Sequence, residues 1–269
     1  MLLIANNLTT RNSEVYQAFK KSRAARWNAE QLGADMLRNL AANCVAASAD
    51  MLEINVQQHY DQPEAMEFAV RVVQQVTDLP LCLSTNNAGA LKAGLKVCKL
   101  LPFANYISID EARLREMLPL IASYGAGAVL LVSDPVTPTD ATEMLKKAAI
   151  LTGAANESGI PNDKILVDPG IIHVTKDVGQ RHLAEVMEFL RALPDATEPA
   201  VRSTCWLENA SVGAPDQLRR VIETALLPML AGLGLSSVFM DVLSRENMRT
   251  VRLMKVFNNE VVYSDSEIE

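Results

Sequence analysis

Ala128-Val-Leu-Leu-Val-Ser133, a run of helical spacing over residues 139–158, and Ile165-Leu-Val-Asp168 read in order as strand, helix, strand. Each apolar run is short and continuous, as a parallel strand buried on both faces must be. The stretch between them is long enough to cross over and return the chain in the same direction. Working outward, the same unit recurs along the whole chain. Further strands are predicted at Leu2–Ala5, Met51–Val56, Leu79–Ser84, Tyr106–Ile109, Arg202–Leu207 and Val238–Val242. Helical spacing follows over 13–45, 62–77, 87–100, 110–124, 178–193, 214–232 and 245–257. Eight repeats of strand then helix predict an α/β chain folded as one (β/α)8 barrel over residues 1–269. A doubly wound sheet is the alternative. It needs fewer strands and a Gly-rich first turn, and that turn is absent.

Boundary residues agree with this division. Asp61-Gln-Pro-Glu64 reads as a helix start with cap, proline and early acid, and Gly213-Ala214-Pro215-Asp216 resembles it. Apolar residues make up 49% of the chain but aromatics only 5%, so the core must be aliphatic. A net charge of −7 argues against a nucleic-acid partner, which would favour a basic face. No run approaches the ~18–20 apolar residues of a membrane helix, and the N-terminal stretch lacks the pattern of a secretory signal. Cys44, Cys82, Cys98 and Cys205 lie far apart with no Cys-x-x-Cys pair, so reduced thiols and a cytoplasmic protein are expected.

In such a barrel the chemistry sits where strands run into the following loops. The polar residues there are Asn6, Asn7 and Thr9; Glu53 and Asn55; Ser84, Thr85, Asn86 and Asn87; Ser108 and Asp110; Ser133 and Asp134; Asp168; Glu208 and Asn209; and Asp241. This ring is rich in Asn, Asp, Ser and Thr and poor in cations, which suits a neutral, hydrogen-bonding heterocycle. It lacks a phosphate-binding cation cluster and a strand-end lysine for Schiff-base chemistry. His59, His173 and His182 are scattered, so no metal site is expected. For Asn6, Asn87, Ser133 and Asp134, helix capping and Asx turns are equal alternatives to a functional role.

Four passages carry a family resemblance: Met51-Leu-Glu-Ile-Asn-Val56, Leu81 through Lys99, Ile165-Leu-Val-Asp-Pro-Gly170 and Leu207-Glu-Asn-Ala-Ser-Val212. They resemble the methyltetrahydrofolate:corrinoid protein methyltransferases, which belong with dihydropteroate synthase among the pterin-binding barrels. The resemblance implies a dihydropteroate synthase-like barrel that moves a methyl group between N5 of methyltetrahydrofolate and the cobalt of a corrinoid carried by a partner protein. It implies a folate-type substrate, no tightly bound cofactor and a homodimer; the apolar Leu226-Leu-Pro-Met-Leu230 would suit a subunit contact or packing on the barrel. Asp168 would hydrogen-bond the pterin, and Asn209 would sit beside N5 as the catalytic amide. Thr9, Asn55, Ser84 and Ser108 would line the ligand.

The family pattern is altered at several of these places. Ser84 stands where an Asp usually ends strand three, Ser108 where an Asn follows strand four, and Glu53 for the usual Asp of strand two. Asn6-Asn7-Leu8-Thr9 replaces the opening motif. Asn86 or Asn87 would then substitute for the missing carboxylate. Two other readings remain open on the sequence: a non-catalytic pterin-binding or assembly subunit, and a synthase-type barrel acting on a pterin pyrophosphate. The scarcity of Arg and Lys at the strand ends opposes the latter.

Overall fold

A computed structural model describes residues 1–28 and 32–265. Eight parallel strands follow one another around the sheet: β1 (Leu2–Thr9), β2 (Met51–Asn55), β3 (Leu81–Ser84), β4 (Phe103–Ile107), β5 (Gly127–Leu131), β6 (Ile165–Asp168), β7 (Arg202–Ser203) and β8 (Ser237–Met240). β1 also pairs with β8, so among the described residues the seam lies between β7 and β8. That seam is bridged by the Trp206–Phe239 pairing, by Phe239 N–H donating to the Cys205 carbonyl, and by the stacked rings of Trp206 and Phe239. Nine helices lie among the described residues: α1 (Ser13–Ala24), α2 (Leu32–Ala46), α3 (Pro63–Val73), α4 (Ala88–Val97), α5 (Glu111–Ser123), α6 (Ala141–Glu157), α7 (Gly179–Ala192), α8 (Asp216–Gly232) and α9 (Arg245–Phe257). The chain is a (β/α)8 barrel.

Alternation along the strands divides two cores. Ile4, Met51, Cys82, Val129, Leu166 and Phe239 pack with one another inside the barrel, with Phe103 and Trp206 against them. Their neighbours one residue away, such as Leu3, Leu52, Leu83, Ala128, Val167 and Val238, join the aliphatic layer under the helices. Continuing the inward set by steps of two brings Glu53 and Asn55, Ser84, Asn105, Leu131 and Asp168 to the C-terminal ends of the strands.

The elements differ from the sequence expectation in five places described next. The predicted helix over 13–45 is two helices, because Arg26 and Trp27 adopt positive φ and end α1. Trp27 then packs against Phe19, Tyr60 and Phe68, a tertiary contact that overrides the helical periodicity. β1 runs on to Thr9, because Asn6 and Asn7 donate to Glu208 and Asp241 from within the strand. β4 begins at Phe103, three residues before the predicted start, and β7 is cut to two residues by a 3-10 turn over Leu207–Ser211. At α3 the cap is not Asp61: its carboxylate binds Thr85 and the Asn86 N–H, tying two mouth loops together.

The start of β5 is tightly packed. A Cβ on Gly127 would lie 2.5 Å from the Phe103 ring and 2.8 Å from the Lys164 carbonyl. Gly127→Ala is therefore expected to cost ~1–3 kcal/mol of stability by overpacking, read as a lowered urea midpoint. An unchanged midpoint would contradict this contact.

Candidate active site at the barrel mouth

Strand register assembles the site. Asn55 of β2 pairs with Ser84 of β3, and Ser84 with Asn105 of β4, so three inward polar side chains stand in one row. Leu131 of β5 pairs with Asp168 of β6 at the same end of the barrel. A cavity of about 140 Å³ opens there, lined by Arg11, Asn55, Gln57, Asn105, Tyr106, Leu131, Asp168, Trp206 and Asn209. A closed cavity of ~150 Å³ takes a benzene-sized ring, so the floor holds one ring system and the rest of a ligand extends into the open mouth. A larger groove of about 260 Å³ lies between α1 and α2. It is away from the strand ends and has only Glu14 as a charged group.

Asp168 is buried, and its Oδ1 accepts the Gly170 N–H at 2.7 Å. Gly170 has φ of +74°, and a Cβ there would collide with Ser133, so only glycine makes this turn. The buried ring of His182 holds the far side of the turn through Nε2 to the Gly170 carbonyl at 2.6 Å. Burial pushes the Asp168 carboxyl up to about 7, with the Gly170 bond opposing.

Asn209 sits on the 3-10 turn after β7. Its side-chain amide has no hydrogen-bond partner among the described residues, so it is free for a ligand. The turn itself is anchored. Ser211 Oγ donates to Glu223 at 2.7 Å, and Arg220 binds Glu223 at 2.7 Å and Asp241 at 2.6 Å. The buried Asn247 donates its Nδ2 to Glu223 at 3.0 Å, completing the clamp from α9.

Beneath the floor lies Glu53, fully buried on β2. Its Oε1 accepts from Ser84 Oγ, from Asn55 Nδ2 at 3.1 Å and from Asn105 Nδ2 at 3.5 Å. Burial raises its carboxyl to about 8 against these bonds and against Arg11.

The structure brings together Asn55, Asp168 and Asn209 of the residues proposed from sequence. The others fall elsewhere. Ser84 lies under the floor, bonded to Glu53 and Asn105. Ser108 is buried beyond the end of β4. Thr9 Oγ1 faces the Arg11 N–H at 3.4 Å, just outside the cavity lining. Asn87 is the side-chain cap of α4, accepting from the Ala90 N–H, so its capping role holds and it does not replace a carboxylate. Asn86 is on the exposed rim, where its Oδ1 accepts from Gln57 and Arg113. Sequence reading missed Asn105, Tyr106, Gln57, Arg11 and Trp206 as lining residues. Asn105 is the strand-four amide of this mouth; starting β4 at Tyr106 hid it. Among the described residues no group of three or more His, Cys, Asp or Glu converges as a metal would require.

A (β/α)8 barrel whose mouth offers a buried carboxylate, several amides and two aromatic rings around a one-ring cavity is a binder of flat, neutral heterocycles. The chain belongs to the pterin binding enzyme family, whose model matches residues 28–233. It is 22% identical over 192 residues to a methylcorrinoid:tetrahydrofolate methyltransferase of Eubacterium limosum, covering 70% of this chain and 69% of that protein. In fold it is similar to Yersinia pestis DHPS solved with a pterine–sulfa conjugate (TM-score 0.70, 17% identity, 97% of this chain and 94% of that one). It is similar too to the dihydropteroate synthase of Thermus thermophilus (TM-score 0.66, 18% identity, 96% and 93%).

Both buried carboxyls are raised, so the folded protein holds protons that the unfolded chain has already released. The stability this lends is complete below the ordinary carboxylate range, near pH ~4, and is lost as pH rises through about 7 for Asp168 and about 8 for Glu53. The urea midpoint is expected to fall from about pH 5 to about pH 8.5, less steeply in Asp168→Asn. A wild-type midpoint that stays level or rises over that window would contradict the burial of these groups.

Proposed function

We propose that the protein is a methyltransferase that moves a methyl group between N5 of methyltetrahydrofolate, or a related pterin, and a corrinoid carried by a partner protein. The observation that carries this reading is the placement of Asp168 and the unpartnered Asn209 amide on one small cavity. The pterin enters the mouth edge first. Asp168 accepts from its ring N–H groups, and Tyr106 and Trp206 border its faces. Asn209 stands beside N5. When docked, the corrinoid supplies the cobalt that takes or gives the methyl.

The chemistry asks two things of this chain's residues. As the methyl leaves, the electron pair of the C–N bond stays on N5, which is a poor leaving group unless it gains a proton or a hydrogen bond. The neutral Asn209 amide can strengthen such a bond in the transition state without supplying a strong acid that would protonate the reduced metal. The name of the Eubacterium limosum relative describes transfer from a methylcorrinoid to tetrahydrofolate, which supports the same pair of substrates here.

The reading includes a cytoplasmic setting, where the four free thiols stay reduced. It also includes a homodimer formed through α8. Leu226, Leu227 and Leu230 are buried against the barrel, whereas Leu218, Val221 and Met229 of the same helix face solvent.

Methyl transfer from methyltetrahydrofolate to reduced cobalamin tests the proposal. Asn209→Ala is expected to lower kcat ~10²–10³-fold with little change in pterin affinity. Asp168→Ala should weaken pterin binding tenfold or more, the equivalent of losing one ~1.5–3 kcal/mol charged hydrogen bond. Pterin binding without turnover, beside an active relative as control, would favour the non-catalytic subunit instead. Val221→Glu with Met229→Glu should give monomers in sedimentation; an unchanged dimer would move the interface off α8.

A further inference from the structure

Two aromatic rings border the mouth cavity, Tyr106 of β4 and Trp206 just beyond β7. Trp206 lies flat on Phe239, with centroids 4.9 Å apart and planes 10° from parallel, and Phe239 is itself part of the barrel core. Tyr106 has a different backing. The Arg113 guanidinium lies over its ring with Cζ 5.0 Å from the centroid, and Arg113 is not among the residues that line the cavity. The cation therefore supports Tyr106 from behind the wall. Arg113 sits against local preference, as the third residue of α5, where the helix dipole disfavours a positive charge. No carboxylate pairs with it among the described residues. Its Nη2 donates instead to Asn86 Oδ1 at 2.5 Å and to the Tyr106 carbonyl at 3.3 Å, and its buried Nε has no partner. Asn86 Oδ1 also accepts from Gln57 Nε2, and the Asn86 N–H is held by Asp61. A belt thus runs from the loop after β2, through the loop after β3, to α5, and it ends on the outer face of Tyr106.

We infer that Arg113 is a positioning residue that locks Tyr106 as a rigid wall and thereby makes the site selective for one configuration at C6 of a reduced pterin. This deepens the pterin reading and rests on it. In a tetrahydropterin C6 is a saturated carbon, so its side chain leaves the ring plane toward one face or the other. Asp168 and Asn209 fix which face meets Tyr106, because a ring turned over would carry N5 away from the amide. The epimer whose side chain leans toward Tyr106 runs into that ring and the belt beside it. The other epimer leaves away from the wall.

The backing is what makes the wall discriminate. A tyrosine free to change its side-chain torsions swings aside and admits both epimers. The stack and the belt remove that freedom from behind the ring. A methionine at this position keeps much of the bulk but loses the plane, the charge and the donors. A lysine keeps the charge but loses the flat, forked group that lies on the ring while bonding two oxygens.

The test is titration of wild type, R113M, R113K and Asn86→Ala with the two C6 epimers of 5-methyltetrahydrofolate. Wild type should prefer one epimer at least about tenfold, the penalty of forcing a group against an unyielding wall. In R113M the ratio should shrink to within about threefold of unity, through gain of the rejected epimer, while the accepted one changes little. R113K should behave as R113M does, since charge alone does not hold the ring. Asn86→Ala removes one anchor of the guanidinium but not the stack, so it should narrow the ratio in part, and it takes the place of R113M if that variant does not fold. Tyr106→Ala should abolish the preference, and adding R113M to it should change nothing further. Wild type that binds neither epimer overturns the functional reading and this inference with it. Wild type that binds both equally overturns this inference alone. So does a ratio left unchanged by R113M, or by Asn86→Ala in its place, whether or not both affinities fall together.

Discussion

A carboxyl group buried inside a barrel, with no ion pair to meet it among the described residues, is the constraint on which this mouth depends. Glu53 is tolerated because Asn55, Ser84 and Asn105 reach its Oε1 from three adjacent strands. That convergence exists only because the three fall in one register row. A one-residue slip of β3 would turn Ser84 outward and put an apolar residue in its place. The aliphatic layer under the helices, with Leu52, Leu83 and Ala104 fully or almost fully buried, fixes the register against that slip.

On the opposite wall the same logic is applied by loops. Asp168 ends β6 and is held by a glycine turn that no other residue can make, backed by His182. Asn209 is presented on a 3-10 turn whose base is clamped through Ser211, Glu223, Arg220 and Asp241. This arrangement leaves the Asn209 amide free while its backbone is fixed, the condition for preorganised hydrogen bonding in a transition state. β7 contributes only two ladder residues, and the clamp together with the Trp206–Phe239 stack closes the barrel there.

The fold was legible because parallel strands buried on both faces leave continuous apolar runs, and eight such runs with helical spacing between them admit few topologies. The same reading placed Asp168 at the end of the Ile165-Leu-Val run and Asn209 just beyond the predicted strand Arg202–Leu207, whereas the roles given to them came from the family resemblance. Asn105 was not: Phe103-Ala-Asn-Tyr-Ile mixes a polar residue into the strand, and reading β4 from Tyr106 moved the mouth position to Ser108. The split of α1 from α2 depends on Trp27 meeting Phe68 and Tyr60, a contact between distant segments that periodicity does not encode. Asn87 carried both a capping and a binding meaning in the sequence, and only its bond to the Ala90 N–H separates them. The pairing of a lengthened acid on β2 with a shortened residue on β3 becomes visible as one event only when the register row is known.

The most direct measurement is a crystal structure of the protein soaked with methyltetrahydrofolate. The account predicts density for a bicyclic ring seated edge-on between Asp168 and Asn209, with its N5 within hydrogen-bond distance of the Asn209 amide. A ring bound elsewhere, or Asp168 and Asn209 turned from the cavity and covered by their neighbours in the soaked crystal, would contradict it.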